Sequence, residues 1–193
     1  MLGWLIIQKY DIEHIYSKFP ERKIEKFEMG LGERTKEGIE SELEKRKNTQ
    51  GDEKIYISNY AESMLKKSEF FVQEKKEQMQ FVKMRVRDLG FPNGATVKEI
   101  YEKAEKLGLK LCPPETGPTI RLDYEKIFDK VQPRGEYLLI AMKQITDSDG
   151  DPLVFNVNRS GDGRSWLRDG WAKPGSEWDA DGEVVFRLRK FET

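Results

Sequence analysis

The sequence predicts an α+β protein in which a helical N-terminal region is followed by a mainly antiparallel β-sheet with one packed helix. Two observations carry this prediction. In the first part of the chain, apolar residues recur every three or four positions among many charged ones, which is typical of exposed helices. In the second part, short alternating or apolar runs are separated by turns rich in Gly, Asp and Pro, which indicates antiparallel strands.

The first 53 residues are predicted to form a charged helical region. Helix is expected across residues 11–47, where the apolar residues are spaced by three and four. Lys and Glu crowd its last stretch, so we expect that helix to be exposed and stabilised by oppositely charged neighbours one turn apart. The polar run from Asn48 to Asp52 then forms a connector. The apolar positions are Ile12, Ile15, Tyr16, Phe19, Ile24, Phe27, Leu31, Ile39 and Leu43.

Residues 54–90 are predicted to be a mixed connecting region. Ile55-Tyr56-Ile57 indicates a short extended segment, after which Ser58 or Asn59 is suited to cap a helix. From Phe81 onward the period changes to two, which predicts a strand with one buried and one basic face. In that strand the apolar residues Val82, Met84 and Val86 alternate with Lys83, Arg85 and Arg87.

Residues 91–193 are predicted to form a β-rich α+β domain. Thr96 and Glu99 have the spacing of a capping box, and Gly108 lies where a left-handed helix cap belongs, so a helix is expected over 96–107. The alternating run Ile120, Leu122 and Tyr124 predicts a strand. Further strands are expected within 137–145, 153–157, 166–172 and 184–188.

Several segments of this C-terminal half resemble a family of uncharacterised bacterial proteins. The resemblance spans more than half of the chain and implies a bacterial source and a recurring module. Because the family has no assigned activity, the resemblance carries over no catalytic residue. Its segments are Asp88-Leu89-Gly90-Phe91, the helix over 96–107, Leu111-Cys112-Pro113, Leu139-Ile140-Ala141-Met142, the run from Ile145 to Gly150, and Val185-Phe186-Arg187.

Composition narrows the functional classes. The formal net charge of −1 gives no overall attraction to duplex DNA or to an anionic membrane. One cysteine, Cys112, excludes an internal disulfide and favours a reducing compartment. The apolar run from Leu2 to Ile7 is too short to span a membrane and lacks the features of a signal peptide, so we expect a cytoplasmic protein without membrane partners.

A metal site is one interpretation of the segment from Asp147 to Asp151. Asp147, Asp149 and Asp151 alternate as oxygen ligands do in calcium loops. The segment departs from an EF-hand loop because Gly150 is at the fourth position and Asn158 replaces the closing glutamate. The alternative is a polar turn between strands, in which Asp and Gly are favoured for backbone reasons.

Basic and aromatic residues suggest a second kind of site, for single-stranded nucleic acid. Arginines and lysines alternate along two predicted strands, and tryptophans follow near Arg164 and Arg168, where they could stack on unpaired bases. The alternatives are a solvated sheet face that resists aggregation and aromatic residues that fill the core. The candidate residues are Lys83, Arg85, Arg87, Trp166, Trp171, Arg187 and Arg189.

The sequence has no arrangement of residues that is typical of a catalytic site, and it predicts neither a catalytic residue nor a cofactor. A single His, His14, and a single Cys exclude a Cys/His zinc centre, and the phosphate-binding and dinucleotide fingerprints are missing. We therefore interpret the chain as a non-catalytic interaction module whose charged helices bind a protein partner or a second copy. The alternatives are a protein associated with single-stranded nucleic acid and a carboxylate-dependent hydrolase.

Overall fold

Residues 24–147 and 149–188 are described by a computed structural model of the chain. They form an α+β fold with four α-helices, two short 3₁₀ segments and a mixed sheet of nine strands. The helices are α1 (Lys36–Lys47), α2 (Asn59–Lys66), α3 (Val97–Lys106) and α4 (Thr116–Phe128), and the 3₁₀ segments are Gly51–Glu53 and Val86–Leu89. The strands are β1 (Glu25–Leu31), β2 (Ile55–Ile57), β3 (Glu77–Arg85), β4 (Ala95–Thr96), β5 (Leu109–Lys110), β6 (Tyr137–Ile140), β7 (Ile145–Thr146), β8 (Pro152–Arg159), β9 (Ser165–Trp171), β10 (Glu177–Trp178) and β11 (Glu183–Leu188).

The nine-stranded sheet takes strands from all three segments that the sequence distinguishes. Its main order is β1-β3-β11-β6-β8-β9-β2, with β5 paired to β11 and β7 paired to β8. Two of its pairings, β11 with β6 and β2 with β9, are parallel, and the others are antiparallel. The last strand, β11, therefore lies in the middle of the sheet between β3 and β6. Strands β4 and β10 form a separate pair.

The predicted helical N-terminal region is wrong where the structure describes it. Residues from Glu25 to Leu31 form the edge strand β1, in which Phe27, Met29 and Leu31 alternate with polar residues and are buried. Over so short a window these residues fit both a helical and a strand period, and antiparallel pairing with β3 decides the outcome. Only Lys36–Lys47 of the predicted 11–47 helix is helical, and residues 11–23 lie outside the described residues.

The prediction of a mainly antiparallel sheet with one packed helix is also wrong. The sheet is mixed, and α4 occupies the segment in which a strand was expected. Nearly every residue from Thr116 to Leu122 is buried. This part of the helix therefore has no polar face, and the sequence lacks the helical alternation of apolar and polar residues. Gly117 allows its close approach, because a Cβ there would lie 2.5 Å from the Cβ of Phe155.

Local signals that do not depend on the rest of the fold are confirmed. Thr96 and Glu99 form the predicted capping box at the start of α3. The Ser58 hydroxyl accepts a hydrogen bond from the backbone N–H of Ala61 and caps α2. Residues Ile55–Ile57 form the expected extended segment, and Gly108 has a positive φ of 83° just past α3. Capping and turn chemistry act over a few residues, which is why the sequence alone reveals them.

The two faces of the sheet have different covers. Helices α1, α2 and α4 lie on the face that carries Phe81, Phe155 and Leu167, and Phe70 packs edge-on against Phe155. Helix α3 lies on the opposite face, where Tyr101 packs edge-on against Phe186 and Trp178. We call these the first and the second face. Because α3 reaches only the β11 side of the second face, the register leaves Tyr56, Trp166 and Arg168 on the part of that face near β2.

Candidate nucleic-acid interface

The strands β2 and β9 build a surface of two aromatic rings and three cations on the second face. We call it the basic aromatic face: Lys54, Tyr56, Arg164, Trp166 and Arg168. Tyr56 is paired directly with Trp166 in the parallel ladder. Residues at alternate positions of one strand share a face, so Arg168 lies on the same side as Trp166. Lys54 precedes β2 and Arg164 precedes β9, which places both cations at the same end of the two strands.

Cation–aromatic contacts hold this surface together. The ring centroids of Tyr56 and Trp166 are 4.9 Å apart and tilted by 31°. The guanidinium carbon of Arg168 lies 4.2 Å from the centroid of Trp166. The guanidinium of Arg164 and the ammonium of Lys54 each lie 5.3 Å from the centroid of Tyr56. Cations at these distances are attracted to the ring faces, which stabilises the arrangement of these five side chains.

The charge of the basic aromatic face is only partly balanced. Arg164 forms an ion pair with Asp162 at 3.3 Å. Among the residues that the structure describes, neither Lys54 nor Arg168 has a carboxylate partner. Arg164 and Arg168 are exposed, while the two rings are partly buried. Ordered, exposed guanidinium groups of this kind can pair with phosphates and stack on bases.

Trp171 does not belong to this surface, although it lies on the same strand. It is five residues from Trp166 and pairs with Leu153, so it lies on the first face. Half of Trp171 is exposed, and the ammonium of Lys173 lies 5.5 Å from its centroid. Trp178 is buried and donates its indole N–H to the backbone oxygen of Trp171. The structure therefore separates the tryptophans that the sequence suggested as one group.

The basic side chains of the predicted strip, Lys83, Arg85 and Arg87, are paired with carboxylates. Lys83 is only 5% exposed and is held by glutamates. Arg85 pairs with Asp88 at 3.1 Å, and Arg87 pairs with Asp181 at 2.6 Å. Neither of these arginines lies beside the basic aromatic face, because β3 and β9 are separated by three other strands. These carboxylates already pair with the cationic groups to which a phosphate backbone would have to bind.

Lys83 lies at the centre of a compact charged group that we call the Lys83 cluster. Its ammonium lies 2.9 Å from Glu25, 2.8 Å from Glu136 and 3.8 Å from Glu183. The Tyr124 hydroxyl donates a hydrogen bond of 2.6 Å to the other oxygen of Glu136. All three carboxylates thus converge on one ammonium.

Burial and neighbouring charges shift the pKa values in the Lys83 cluster. Burial raises the pKa of Glu183, the positive charge of Lys83 opposes this, and the nearby Glu136 adds to it. Burial lowers the pKa of Lys83, but hydrogen bonds to Glu136 and Glu25 outweigh this and leave it above the ordinary value. The negative charge of Glu136 beside it therefore adds to the effect of burial and disfavours the ionised form of Glu183.

Arg187 is partly buried in β11, and Arg189 lies outside the described residues. Arg187 pairs across the sheet with Phe81 and with Lys110. It shares the first face with Lys83 and not the second face with Trp166. Its buried Nε has no hydrogen-bond partner. Burial raises the pKa of the neighbouring Cys112 thiol, and Arg187 opposes that rise.

The segment from Asp147 to Asp151 folds as a turn. One carboxylate oxygen of Asp147 accepts the backbone N–H groups of Asp149 at 2.9 Å and Asp151 at 2.8 Å. The carboxylate of Asp151 pairs with Lys173 at 2.7 Å. Asp147 is buried, and its carboxylate is committed to the backbone. Across residues 24–147 and 149–188, no group of three or more His, Cys, Asp or Glu side chains is arranged to hold a metal ion.

Comparisons with family models, with curated proteins and with solved structures find no match to this chain. The resemblance of the C-terminal half to uncharacterised bacterial proteins therefore stays a prediction. In the part of the chain that the structure describes, no helix is long and apolar enough to cross a membrane.

Sequence reasoning named Trp166 and missed Tyr56 and Lys54. Arg164 and Arg168 belong to the sequence pattern around the tryptophans. The missing signal is the parallel pairing of β2 with β9, which joins residues more than a hundred positions apart. The sequence shows the alternation of Lys54 with Tyr56 and of Arg164, Trp166 and Arg168. No local feature of the sequence indicates that the two strands are neighbours.

Proposed function

We propose that this protein binds single-stranded nucleic acid through the basic aromatic face. The observation that carries the proposal is the ordered Tyr56–Trp166–Arg168 stack with two further cations at its end. Single strands are bound by proteins that combine cations along the backbone with π-surfaces on which bases stack. The exposed guanidinium of Arg168 offers such a surface, and its charge suits the adjacent phosphate.

Weak, salt-sensitive binding without strong sequence preference is expected. Three cations at the face imply release of about three counterions, so the slope of log affinity against log salt should be about −2. The bases of a duplex are stacked inside it and cannot stack on Tyr56 or Trp166, so single strands should be preferred. The cytoplasm, which the single cysteine favours, supplies RNA of this kind.

The test is fluorescence anisotropy with labelled single-stranded DNA and RNA of about ten nucleotides. Titrations at about 50 mM and about 200 mM salt measure the slope. Trp166→Ala and Arg168→Glu should weaken binding, the first by about 1–3 kcal/mol for each base that it stacks. Matched controls are Trp171→Ala, on the same strand, and Lys173→Glu, two residues beyond it, which alter a ring and its neighbouring cation away from the basic aromatic face and should leave affinity unchanged.

Two outcomes would overturn this function. Folded protein that shows no binding at the lower salt concentration would remove nucleic acid as a ligand. Binding that is weakened equally by the Trp166 and the Trp171 substitutions would show that the basic aromatic face is not the site. Circular dichroism of each variant establishes that its fold is intact.

Self-association is a second candidate, favoured by a groove on the second face. Helix α3 and β5 line a cavity of about 400 Å³ with a largely apolar floor that includes Tyr101 and Phe186. Leu111 lies at its edge and is 40% exposed. The lining carries lysines and glutamates in equal number, so that a second copy, related by a two-fold axis, could pair opposite charges: Lys98, Lys110, Glu102 and Glu105.

Sedimentation equilibrium tests the second candidate. If the groove is the interface, Leu111→Asp should convert a dimer to a monomer, because a carboxylate would be buried in the apolar contact. Val131, which is 53% exposed and does not line the groove, provides the control Val131→Asp. A native chain that stays monomeric at high concentration would contradict this candidate.

A further inference from the structure

A second group of cations lies away from the basic aromatic face, and its central arginine is buried. We call Arg46, Arg121 and Arg159 the Arg121 cluster. Three elements contribute to it, since Arg46 lies in α1, Arg121 in α4 and Arg159 in β8. Gln132 connects two of them: its side-chain oxygen accepts from Arg121 at 2.6 Å, and its backbone oxygen accepts from Arg159 at 2.9 Å.

Arg121 is buried without a counter-charge. It is 7% exposed, and its hydrogen-bond acceptors are the neutral oxygens of Gln132 and, at 3.4 Å, of the Asn158 backbone. Its buried Nε has no acceptor among the residues that the structure describes. No carboxylate within residues 24–147 and 149–188 forms an ion pair with it. Burying an unpaired guanidinium costs several kcal/mol, so its retention calls for an explanation.

The other two arginines are oriented in the same way, by backbone oxygens alone. Arg159 donates through Nε to the oxygen of Gly163 at 3.1 Å. Arg46 donates through Nε to the oxygen of Glu53 at 2.8 Å. Neither is in an ion pair among the described residues. Each guanidinium is therefore fixed in direction while some of its N–H groups keep no protein acceptor.

The charges of Arg46 and Arg159 both act on Arg121. Burial lowers the pKa of Arg121 to about 10, the neighbouring Tyr124 opposes this, and the positive charges of Arg46 and Arg159 contribute to it. Glu125 follows on α4 and acts in the opposite direction, but it is exposed to solvent. The cluster thus holds mutually repelling cations together, an arrangement that an added anion would stabilise.

We propose that the Arg121 cluster is a binding site for a phosphate group. Guanidinium groups match the oxygens of phosphate in pairs, and three of them held by neutral carbonyls leave their charge free for a doubly charged oxyanion. The site lies across the first face of the sheet and uses none of the five residues of the basic aromatic face. The proposal therefore goes beyond the proposed function and does not depend on it.

The experiment measures thermal unfolding of the full chain in inorganic phosphate and in sodium chloride at matched ionic strength. We expect the melting temperature to rise with phosphate and to saturate, since a ligand of the folded state stabilises it by mass action. Arg159→Gln should remove most of this rise, because it takes away one of the partly free guanidiniums. Arg87→Gln, in an arginine that is already paired with Asp181, is the matched control and should keep the full response.

Arg121→Met gives a second, independent reading. It should abolish the phosphate response while leaving the protein folded in chloride, whereas an arginine with a purely structural role would destabilise the protein in both salts when replaced. Phosphorus NMR reports binding directly through broadening of the phosphate signal. A native protein without phosphate-specific stabilisation, or an Arg159→Gln variant with an unchanged response, would overturn the proposal.

Competition identifies the source of the phosphate. If the site takes a phosphate of a nucleic-acid backbone, inorganic phosphate should displace a labelled oligonucleotide beyond the effect of ionic strength. If it takes a free phosphate or a small phosphorylated molecule, oligonucleotide binding should be insensitive to phosphate and to Arg159→Gln. The melting-temperature and phosphorus NMR measurements decide whether phosphate binds, and the competition then distinguishes the two sources.

Discussion

The Lys83 cluster and the Arg121 cluster are opposite solutions to the burial of a cation. Both touch helix α4, which contributes Tyr124 to the first and Arg121 to the second, only three residues apart. Lys83 is surrounded by three glutamates, whereas Arg121 faces neutral oxygens and two further arginines. The same helix therefore borders one site in which cations and carboxylates are paired and another in which the described residues pair no carboxylate with the arginines.

This difference separates a structural network from a binding site. In the Lys83 cluster each charge has an internal partner, so a ligand would have to displace a partner in order to bind. In the Arg121 cluster the described residues leave the positive charge open, and the binding of an anion would complete it. The balance of charge, more than the number of charged residues, thus identifies which cluster is suited to a ligand.

The strongest way to break this comparison is to remove Lys83. Lys83→Met leaves Glu136 and its neighbours crowded without their cation, so we expect the free energy of unfolding to fall by about 3–5 kcal/mol. Urea unfolding followed by circular dichroism measures this. The control is Lys130→Met: Lys130 also pairs with Glu25, at 2.8 Å, but it is 44% exposed and should cost under about 1 kcal/mol. Equal losses in the two variants would show that the cluster contributes no special stability.

The same substitution at the other cluster should act differently. Arg121→Met removes an unpaired buried cation and keeps much of its apolar volume, so in chloride the free energy of unfolding should stay within about 1 kcal/mol or rise. One hydrogen bond to Gln132 is lost, which limits the gain. A loss as large as that of Lys83→Met would mean that both cations are structural, and the contrast between the clusters would fail.

A smaller effect is expected from Glu183. Its pKa lies above the ordinary value of 4.5, so the folded protein holds this proton more tightly than the unfolded chain. Stability is then lost as the pH rises from 4.5 through the folded pKa, and Glu183→Gln should remove that loss. We expect the variant to be more stable than the native protein at pH 7 and equal to it in the acid range. Thermal unfolding against pH measures this, and a destabilised variant at pH 7 would contradict it.

The smallest effect is expected from calcium. Asp147 is committed to backbone N–H groups and Asp151 to Lys173, so the turn offers no open set of oxygen ligands. Calcium at about millimolar concentration should leave the melting temperature unchanged. A rise that disappears in Asp149→Ala would show that the turn rearranges around an ion.

How far the sequence predicts this fold depends on the range of each interaction. The cap at Thr96, the turn at Gly108 and the extended Ile55–Ile57 could be predicted because neighbouring residues determine them. Strand β1 and helix α4 could not, because pairing with a distant strand and burial on all sides override the local period.

The sites divide in the same way. Trp166 and its flanking arginines were visible as a pattern, whereas Tyr56 joined them only through the parallel pairing of β2 with β9. Lys83 was read as a solvent-facing cation because strand alternation placed it on the polar side. The structure covers that side with Glu25 and Glu136, which come from other elements. The Arg121 cluster could not be predicted from the sequence, since the lack of a counter-charge beside Arg121 is a property of the packed structure alone.

The central position of β11 affects how the chain folds as it is synthesised. This strand is synthesised after all the others of the sheet, yet it joins β3 to β6. Until it leaves the ribosome, the inner edges of both strands have open hydrogen-bonding groups, which are templates for aggregation. The sheet should therefore close only after β11 has been made, and its folding should be slow, as contacts between distant residues require.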